Sequence, residues 1–334
     1  MSTSEPPHIT CVGEALAVLS AERGPLESAK SFTRSAGGAE ANVATTLAGL
    51  GISTSVITRV GDDGFGRFLT AHLAGAGVDA SAVIVDPTRP TGLYIKERGG
   101  GSARPSDLPQ GESRMFYYRR GSAGGALAVE DLQRPDVQRV LHRTSLLHLS
   151  GITPALSDTA RQAVAQLVHG PHRCSFDLNY RPALWESPAG AADVLAECVR
   201  ASNIVLMGMD EAAAAFGVAS PREIRDAFPE PEYLVVKNDS HHVIGFHKDD
   251  AVEVPALTVD VVEKIGAGDA FASGFLTGVV TGMPTDRALR MGHVCAAAAL
   301  SSTDDAAIPP LEELDRLLAL SEPDWATARF RKES

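Results

Sequence analysis

The sequence predicts an α/β protein with a mostly parallel central sheet. Short β-rich runs alternate with longer Ala- and Leu-rich runs, and helices that alternate with strands in this way are typical of right-handed βαβ units. An all-helical bundle would not explain the spaced Val and Ile runs. The 334 residues correspond to one large domain or two small ones, and since no internal repeat is visible we expect a single domain, 1–334.

The elements follow one another in a regular order. The predicted strands are residues 9–12, 55–60, 146–150, 174–177, 204–206 and 233–237, each rich in β-branched or other apolar side chains. The predicted helices are residues 42–50, 65–74, 157–169, 188–200 and 270–281, which are rich in Ala and Leu.

Two stretches interrupt this alternation. Residues 17–33 are polar and predict a loop, whereas residues 91–121 hold two predicted strands, 92–97 and 114–119. The segment between them, 99–113, is rich in Gly, Pro and Ser and predicts a flexible hairpin loop. We expect this antiparallel excursion to form a lid over a site. The tail after Asp324 is polar and predicted to be peripheral.

Composition excludes several classes of protein. The chain has 42 acidic and 30 basic side chains, a net charge of −12, which argues against nucleic-acid and membrane-surface partners. The four cysteines, at positions 11, 174, 198 and 295, lack metal-ligand spacing. The first ten residues have neither the basic flank nor the apolar core that is typical of a signal sequence, and the apolar run 271–280 is shorter than a membrane-spanning helix. We expect a soluble cytoplasmic protein with reduced thiols.

The strongest chemical signal is the segment Gly266-Ala267-Gly268-Asp269, which precedes a predicted helix. Its small residues allow the backbone to approach a ligand, and the start of the helix directs N–H groups and a positive dipole end toward the same point. Such a turn can cradle a phosphate. Asp269 would repel phosphate but could accept a proton from a hydroxyl that attacks phosphorus. The alternative is a glycine-rich turn in which Asp269 is only an N-cap.

Two further glycine segments stand at predicted helix starts. Gly37 to Asn42 could bind a polyhydroxylated ligand, because the Asn42 amide offers both a donor and an acceptor. An ordinary turn and cap is the alternative. Gly61 to Gly66 fits a capped strand–helix turn as well as it fits a ligand contact.

Other nucleotide and hydrolase motifs fail. No Gly-x-Gly-x-x-Gly run follows a strand, so the dinucleotide fingerprint is missing. Residues 24–31 nearly match a P-loop, but Ala29 replaces the required Gly and Pro25 removes an N–H. The His-Glu-x-x-His and Gly-x-Ser-x-Gly motifs are absent.

Taken together, these three glycine segments resemble the signatures of the ribokinase-like (PfkB) carbohydrate kinase family, in the same order and spacing across residues 8–310. The resemblance implies a ribokinase-like three-layer fold with a small β lid, formed here from about 14–34 and 90–121. It also implies transfer of phosphate from ATP, with Mg²⁺, to a sugar or sugar-acid hydroxyl. Related lids often form dimer contacts, so we expect a homo-oligomer.

The resemblance also implies roles for individual residues. Asp269 would be the general base, and the amides of Gly266, Ala267 and Gly268 would stabilise charge on the transferring phosphoryl group. Glu211 matches an acidic residue that organises magnesium through water, and Lys237 stands near the nucleotide.

The acceptor is suggested by residues 115–123, which are similar to a Tyr-Tyr-Arg-x-x-Ser-Ala segment of 2-keto-3-deoxygluconate kinases. On a strand, Tyr117 and Arg119 point to one face, and Arg suits a carboxylate. Tyr94 resembles a second lid tyrosine, and Gly38 would contact the substrate through its backbone. The expected acceptor is the terminal hydroxyl of a keto-deoxy sugar acid.

Alternatives to this acceptor stay open. Arg119 could be a solvated residue of an exposed strand, and the protein could be a fructokinase or another hexose or pentose kinase. A neutral sugar, however, would offer Arg119 no carboxylate to pair with. Residues 177–185 resemble a further stretch of the same kinases, which would bring Arg181 near substrate and phosphate and Asn179 near the acceptor or the magnesium waters.

Several positions depart from the family pattern. Glu263-Lys264 stands where many relatives have an Asp-Thr pair whose Asp helps to hold a monovalent cation, so the need for such an ion stays open. Gly208 replaces a frequent Asn, and Asp239 would repel ATP phosphates. The pair at 241 and 242, both His, predicts a solvated loop. These departures leave a non-catalytic sugar-acid sensor as a second class of function.

Overall fold

The computed structural model describes residues 6–332 except 103, 239, 240 and 249. Its strands are β1 (His8–Val12), β2 (Leu16–Ala21), β3 (Phe32–Gly37), β4 (Ser53–Gly61), β5 (Asp79–Asp86), β6 (Leu93–Arg98), β7 (Ser113–Tyr118), β8 (Leu146–Ser150), β9 (Cys174–Asp177), β10 (Ile204–Gly208), β11 (Tyr233–Asn238), β12 (His242–His247) and β13 (Asp250–Pro255).

The helices lie mostly between these strands. They are α1 (Ala39–Gly49), α2 (Gly64–Gly75), α3 (Val129–Leu132), α4 (Pro135–Arg143), α5 (Thr153–Leu156), α6 (Asp158–Val168), α7 (Pro188–Ala201), α8 (Met209–Phe216), α9 (Pro221–Ala227), α10 (Ala267–Val280), α11 (Thr285–Leu300), α12 (Leu311–Leu318) and α13 (Glu322–Trp325).

The central sheet has the order β13-β12-β11-β10-β9-β8-β1-β4-β5. All strands from β11 to β5 in this order run parallel, while β12 and β13 join the edge antiparallel. The predicted mostly parallel α/β fold is therefore confirmed. Because parallel strands end on the same side, their carboxyl ends form one common edge, where α/β proteins bind ligands.

Helices cover both faces of this sheet. Successive residues of one strand pack into different apolar clusters: Ile204 and Leu206 of β10 belong to one cluster and Val205 and Met207 to the other. A strand that is buried on both sides is expected to be continuously apolar. This explains why the parallel strands are visible in the sequence.

A second, small sheet has the order β3-β2-β6-β7. Strands β6 and β7 pair antiparallel close to the predicted positions, and β2 runs parallel to β6. The prediction of a loop over 17–33 is wrong at both ends, because β2 pairs with β3 from Leu16–Gly37 to Ala21–Phe32. Residues 22–31 connect the two strands. The polar composition that suggested a loop belongs in part to β3, whose first three residues are exposed.

The carboxyl-terminal segment also differs from prediction. Trp325 is only 1% exposed, and its Nε1 donates a hydrogen bond of 2.9 Å to the Pro255 carbonyl. Phe330 is buried as well, and Arg329 forms an isolated bridge with Thr258. The tail is therefore packed against the segment that follows β13.

Smaller differences concern helix starts and loops. Helix α1 begins at Ala39, so Asn42 lies in its first turn. His242 begins β12 and is not in a loop, whereas His241 is exposed. All four cysteines are free and buried. Across the described residues, the helices are too short or too polar to cross a membrane.

Candidate active site

A cavity of about 450 Å³ opens at the carboxyl edge of the central sheet, and the small sheet forms one of its walls. It brings together residues from the ends of several strands and both glycine segments at the starts of α1 and α10. The predicted residues that line it are Gly38, Asn42, Tyr94, Tyr117, Arg119, Asn179, Arg181, Glu211, Lys237, Gly266, Gly268 and Asp269. Ala267 does not line the cavity and is the first residue of α10.

The turn before α10 requires glycine at its first position. Gly266 has φ +81°, and a Cβ added there would come within 1.9 Å of the Asp305 carbonyl oxygen. Such a conformation favours glycine strongly. The N–H groups of the first helical turn have no partner within the helix and are available to an anion.

Asp269 lies in the first turn of α10 and contacts the other glycine segment. The Asn42 amide Nδ2 donates a hydrogen bond of 2.8 Å to Asp269 Oδ2. Burial, together with the nearby carboxylates of Asp177 and Glu40, raises the pKa of Asp269 to about 7, while the bond from Asn42 opposes the shift. A carboxylate that titrates near neutral pH is suited to accept a proton.

Glu40 is a buried carboxylate that the sequence analysis did not single out. Its Oε1 accepts hydrogen bonds from Ser150 N (3.1 Å), Ser150 Oγ (2.8 Å) and Thr153 Oγ1 (3.0 Å). A Cβ on Gly13 would come within 2.1 Å of the Glu40 carboxyl carbon. Glu40 thus fixes the start of α1 against the ends of β1 and β8.

Lys237 points from the end of β11 toward the glycine turn. Its Nζ lies 3.1 Å from Asp177 Oδ2, and a Cβ on Gly268 would be 3.7 Å from the same nitrogen. Burial alone would lower the pKa of Lys237, but the carboxylates of Asp177 and Glu211 raise it above its ordinary value. A cation therefore faces the helix start that is predicted to cradle phosphate.

Glu211 and Arg181 form a pair beside Lys237. Glu211 Oε2 accepts from the Gly208 N–H (3.1 Å) and Oε1 lies 3.0 Å from Arg181 Nη1. Burial raises the pKa of Glu211, and the positive charge of Lys237 opposes this increase. Gly208, which departs from the family pattern, serves as the N-cap of α8. Asp239, the other departure near the nucleotide, lies outside the described residues.

Asn179 adopts an uncommon conformation at the same wall. Its φ is +37°, and its Oδ1 is buried without a hydrogen-bond partner among the described residues. A buried acceptor without a partner costs free energy, and backbone strain of this kind is concentrated at functional sites. Both features are expected where a ligand completes the site.

Arg119 has a carboxylate partner within the chain, contrary to the reasoning from the sequence. Its Nη1 lies 3.0 Å from Glu14 Oε2, and Ser122 Oγ donates to Glu14 Oε1 at 3.0 Å. Burial raises the pKa of Glu14, although Arg119 opposes this. The guanidinium carbon also lies 4.6 Å from the Tyr117 ring centre.

The Arg119 guanidinium keeps donors for a ligand. Its Nε is buried and has no hydrogen-bond partner among the described residues, and the side chain is only 11% exposed. Tyr94, by contrast, already donates its hydroxyl to the buried carboxylate of Asp305.

The third glycine segment stays outside the cavity. Asp63 caps α2 by accepting from Phe65 N and Gly66 N, and it also holds Thr91 N at 2.8 Å. Of the two interpretations of this segment from the sequence, the structure agrees with the capped strand–helix turn.

A smaller cavity of about 320 Å³ adjoins the first at Lys237. Its other lining residues are Met209, Asp210, Ala213, Val218, Ala219 and Asn238. Three of these residues belong to α8, so the smaller cavity lies beside this helix.

Four carboxylates of the site were missed from the sequence as functional residues: Glu14, Glu40, Asp177 and Asp305. Glu14 follows β1 by two residues and Asp177 ends β9, so the rule that ligands bind at the carboxyl ends of parallel strands could have found both. Asp305 carries no such signal, because it lies in a loop after α11.

Known proteins resemble this chain over most of its length. The family described as "pfkB family carbohydrate kinase" matches residues 6–312. A 2-dehydro-3-deoxygluconokinase from Thermoproteus tenax is 34% identical, over 93% of this chain and 94% of its own. Another from Bacillus subtilis (strain 168) is 30% identical, over 92% and 94%. The crystal structure of a PfkB protein from Polaromonas sp. JS666 superposes with a TM-score of 0.80 at 30% identity, covering 93% of this chain and 99% of that one.

Proposed function

Since the chain belongs to the pfkB family of carbohydrate kinases, we propose that it transfers the γ-phosphoryl group of ATP to the terminal hydroxyl of a keto-deoxy sugar acid, as a 2-dehydro-3-deoxygluconokinase. Membership confirms the predicted family and its ribokinase-like fold. The proposed acceptor is supported by Arg119, which lines the same cavity as Asp269 and whose buried Nε has no hydrogen-bond partner among the described residues.

The chemistry at the Asp269 end is direct in-line transfer. The substrate hydroxyl oxygen attacks the γ-phosphorus, the bond from phosphorus to the β–γ bridging oxygen breaks, and ADP leaves. Asp269 accepts the hydroxyl proton, since Asn42 orients its carboxylate. The N–H groups of the turn 266–268 and the ammonium of Lys237 stabilise the charge on the transferring group.

The acid end of the substrate would lie against the small sheet. Arg119 is held in place by Glu14 and Tyr117, so its orientation is fixed before the substrate arrives. A substrate carboxylate would satisfy the buried Nε–H, which otherwise costs about 1–3 kcal/mol. Gly38 approaches through its backbone, and Asn179 Oδ1 would accept a hydrogen bond from a substrate hydroxyl.

Mg²⁺ would be bound mainly by the phosphates and water. Within the described residues, no group of three or more His, Cys, Asp or Glu side chains is arranged to hold a metal, and Mg²⁺ in kinases commonly keeps several waters. Glu211 would hold it through water, and the open acceptor of Asn179 suits a water ligand as well. When bound, the ion neutralises phosphate charge. The adenosine of ATP would extend past Lys237 into the smaller cavity.

The small sheet would act as the lid and as the contact in a homo-oligomer. Closure over the sugar acid excludes water, which would otherwise compete as an acceptor. The face of the sheet away from the cavity exposes Phe32 by 45% and Tyr118 by 60%, and large exposed aromatic groups are frequent in interfaces. We expect a dimer through this surface.

One observation favours a second candidate. Glu14 already provides Arg119 with a carboxylate, so a neutral sugar would not leave the guanidinium unpaired. A fructokinase or another hexose or pentose kinase is therefore the alternative.

The test is ADP release from ATP and Mg²⁺ with 2-keto-3-deoxygluconate, its galactose epimer, gluconate, fructose and ribose. Asp269→Asn is the active-site variant, and Asp158→Asn, on the surface of α6, is the matched control. We expect turnover with a keto-deoxy acid that is lost only in Asp269→Asn. Turnover with fructose or ribose alone would contradict the acceptor. Binding of ATP without any turnover would support a sensor instead.

A further inference from the structure

A buried cation lies beneath the glycine turn. Lys96, on β6 of the small sheet, is 1% exposed, and its Nζ lies 2.6 Å from Asp305 Oδ1 and 3.9 Å from Glu263 Oε2. Removing a charged group from water is expensive unless it is paired and hydrogen-bonded. The two carboxylates, both nearly buried, therefore hold this ammonium in place.

The same two carboxylates, those of Asp305 and Glu263, connect the small sheet to the turn 266–268. Asp305 Oδ2 accepts from the Tyr94 hydroxyl, and Glu263 Oε2 accepts from Ser113 Oγ at 2.8 Å. The Asp305 carbonyl packs directly on Gly266, which leaves no room for a Cβ. Two strands of the small sheet thus meet the turn through one cluster of charges.

This cluster does not fit an added monovalent cation. The resemblance associates the position of Glu263 with such an ion, but each of the four carboxylate oxygens already accepts from a donor of the chain. These donors are Lys96 Nζ, Tyr94 OH, Ser113 Oγ and the Lys264 N–H. The Lys96 ammonium is the central positive charge and repels a second cation at this position.

We propose that Lys96 supplies this cation from within the chain, as a positioning residue that holds Asp305 against the turn 266–268. The enzyme then needs no added monovalent cation. Lys96 does not touch the reacting atoms and acts through Asp305 on the backbone amides of the turn. This inference rests on the proposed function only for its kinetic readout.

The test compares Lys96→Ala with the wild-type protein in ammonium, potassium and tetramethylammonium chloride at equal ionic strength. Tetramethylammonium is too large to replace the side chain. The wild type is expected to have the same rate and the same melting temperature in all three salts. For Lys96→Ala we expect a loss of about 10²-fold, mainly in kcat, in tetramethylammonium, because the turn loses its position. Ammonium or potassium should restore part of the rate of Lys96→Ala. Each ion should also raise the melting temperature of this variant, up to a limit at high ion concentration.

A matched control and a second variant complete the experiment. Arg98→Ala changes the same strand, where Arg98 donates to the Ala21 carbonyl, and should show no response to the ions. Lys96→Met with Asp305→Asn removes both charges, so it should fold, remain slow and ignore the ions. If Lys96→Ala fails to fold in every salt, a kcat of the double variant equal to that of the wild type would overturn the proposal.

Two results would contradict the inference directly. One is strong activation of the wild type by potassium, and the other is a Lys96→Ala variant whose rate and melting temperature ignore the ions. Failure of the proposed function is recognised separately, because the wild type would then not phosphorylate a keto-deoxy acid. The melting temperatures of the variants would still test Lys96.

Discussion

The central sheet and the small sheet are stabilised by different interactions. Strands β9 and β10 are buried throughout. The side chains of β10 belong to large apolar clusters on both faces, and those of Cys174 and Phe176 in β9 belong to one of these clusters. The small sheet has a minor apolar cluster of Leu16, Val18 and Tyr94. Its other buried side chains include Lys96 and Glu97. The Glu97 carboxylate accepts a hydrogen bond of 2.7 Å from the Leu26 N–H.

This difference separates stability from substrate recognition. Apolar burial in the central sheet is non-directional and determines whether the chain folds. Charged contacts of the small sheet contribute little net stability but fix orientation, because a buried ion pair that loses one partner leaves an unpaired charge. Substitutions in the apolar clusters should change unfolding, whereas loss of one partner of a buried ion pair in the small sheet should change both unfolding and kinetics.

The largest effect is expected for Asp269→Asn, at the carboxyl edge of the central sheet. An amide cannot accept the hydroxyl proton, so kcat should fall by about 10²–10⁴-fold. Asp269 has a folded-state pKa of about 7, above its ordinary value of 3.8. Its ionisation therefore costs stability as pH rises through this interval. The variant should consequently be at least as stable as the wild type near about pH 8, as measured by urea unfolding. A nearly unchanged kcat would exclude Asp269 as the base.

The next effect contrasts the two sheets directly. Phe176→Ala removes a fully buried ring from β9 and should lower the free energy of unfolding by about 3–5 kcal/mol. Phe116→Ala, on β7, should cost much less, because this ring is only partly buried. Urea denaturation of both variants measures the difference. Equal losses would show that the small sheet is part of the same cooperative core.

A smaller effect concerns Arg119 and Glu14. Arg119→Met should raise the KM for the sugar acid by about ten- to a hundredfold, since hydrogen bonds to charged groups contribute about 1.5–3 kcal/mol. The value of kcat should change less. Glu14→Gln and the double variant, which carries both Glu14→Gln and Arg119→Met, complete a double-mutant cycle. This cycle measures the coupling energy between the two side chains. A KM for fructose that rises as much as that for the acid would remove the argument for carboxylate recognition.

The smallest effect is a shift of the pH profile. Because Asp269 must be deprotonated to accept a proton, kcat/KM should fall as pH drops through about 7. The bond from Asn42 lowers the pKa of Asp269, so Asn42→Ala should move the profile to higher pH. Rates measured across the pH range for both proteins test the sign. A shift to lower pH would mean that Asn42 does not stabilise the carboxylate.

The sequence predicts the central sheet better than the small one for a physical reason. Parallel strands buried on both faces are rich in apolar residues, which makes β1, β8, β10 and β11 visible. Strand β9 is also predicted, although Cys174 and Phe176 alternate there with the polar Ser175 and Asp177. Strand β3 is missed because its first half is exposed and polar. Strand β2 is missed although it is apolar and mostly buried, because it precedes a polar segment without a break. The packing of the tail is missed because its two buried aromatic residues, Trp325 and Phe330, stand among polar neighbours.

The same limit applies to the site. Gly266–Asp269 and Asn42 can be identified from the sequence, since small residues at the start of a helix are typical of sites that bind anions. The pairing of Glu14 with Arg119 and of Lys96 with Asp305 joins residues that are 105 and 209 positions apart. No local pattern encodes such contacts, so only the folded arrangement shows that the cavity already contains partners for its own charges.

The packing of Trp325 and Arg329 has a consequence for how the protein is made. All parallel strands of the central sheet lie before residue 239, so this sheet can form while the ribosome is still adding residues. Thr258 precedes the turn 266–268. It can form its β-bridge with Arg329 only after Arg329 has left the ribosome. At about 5–20 residues per second, several seconds separate the synthesis of β11 from that of Arg329. The contact between the tail and the segment after β13 is therefore among the last in the molecule to form.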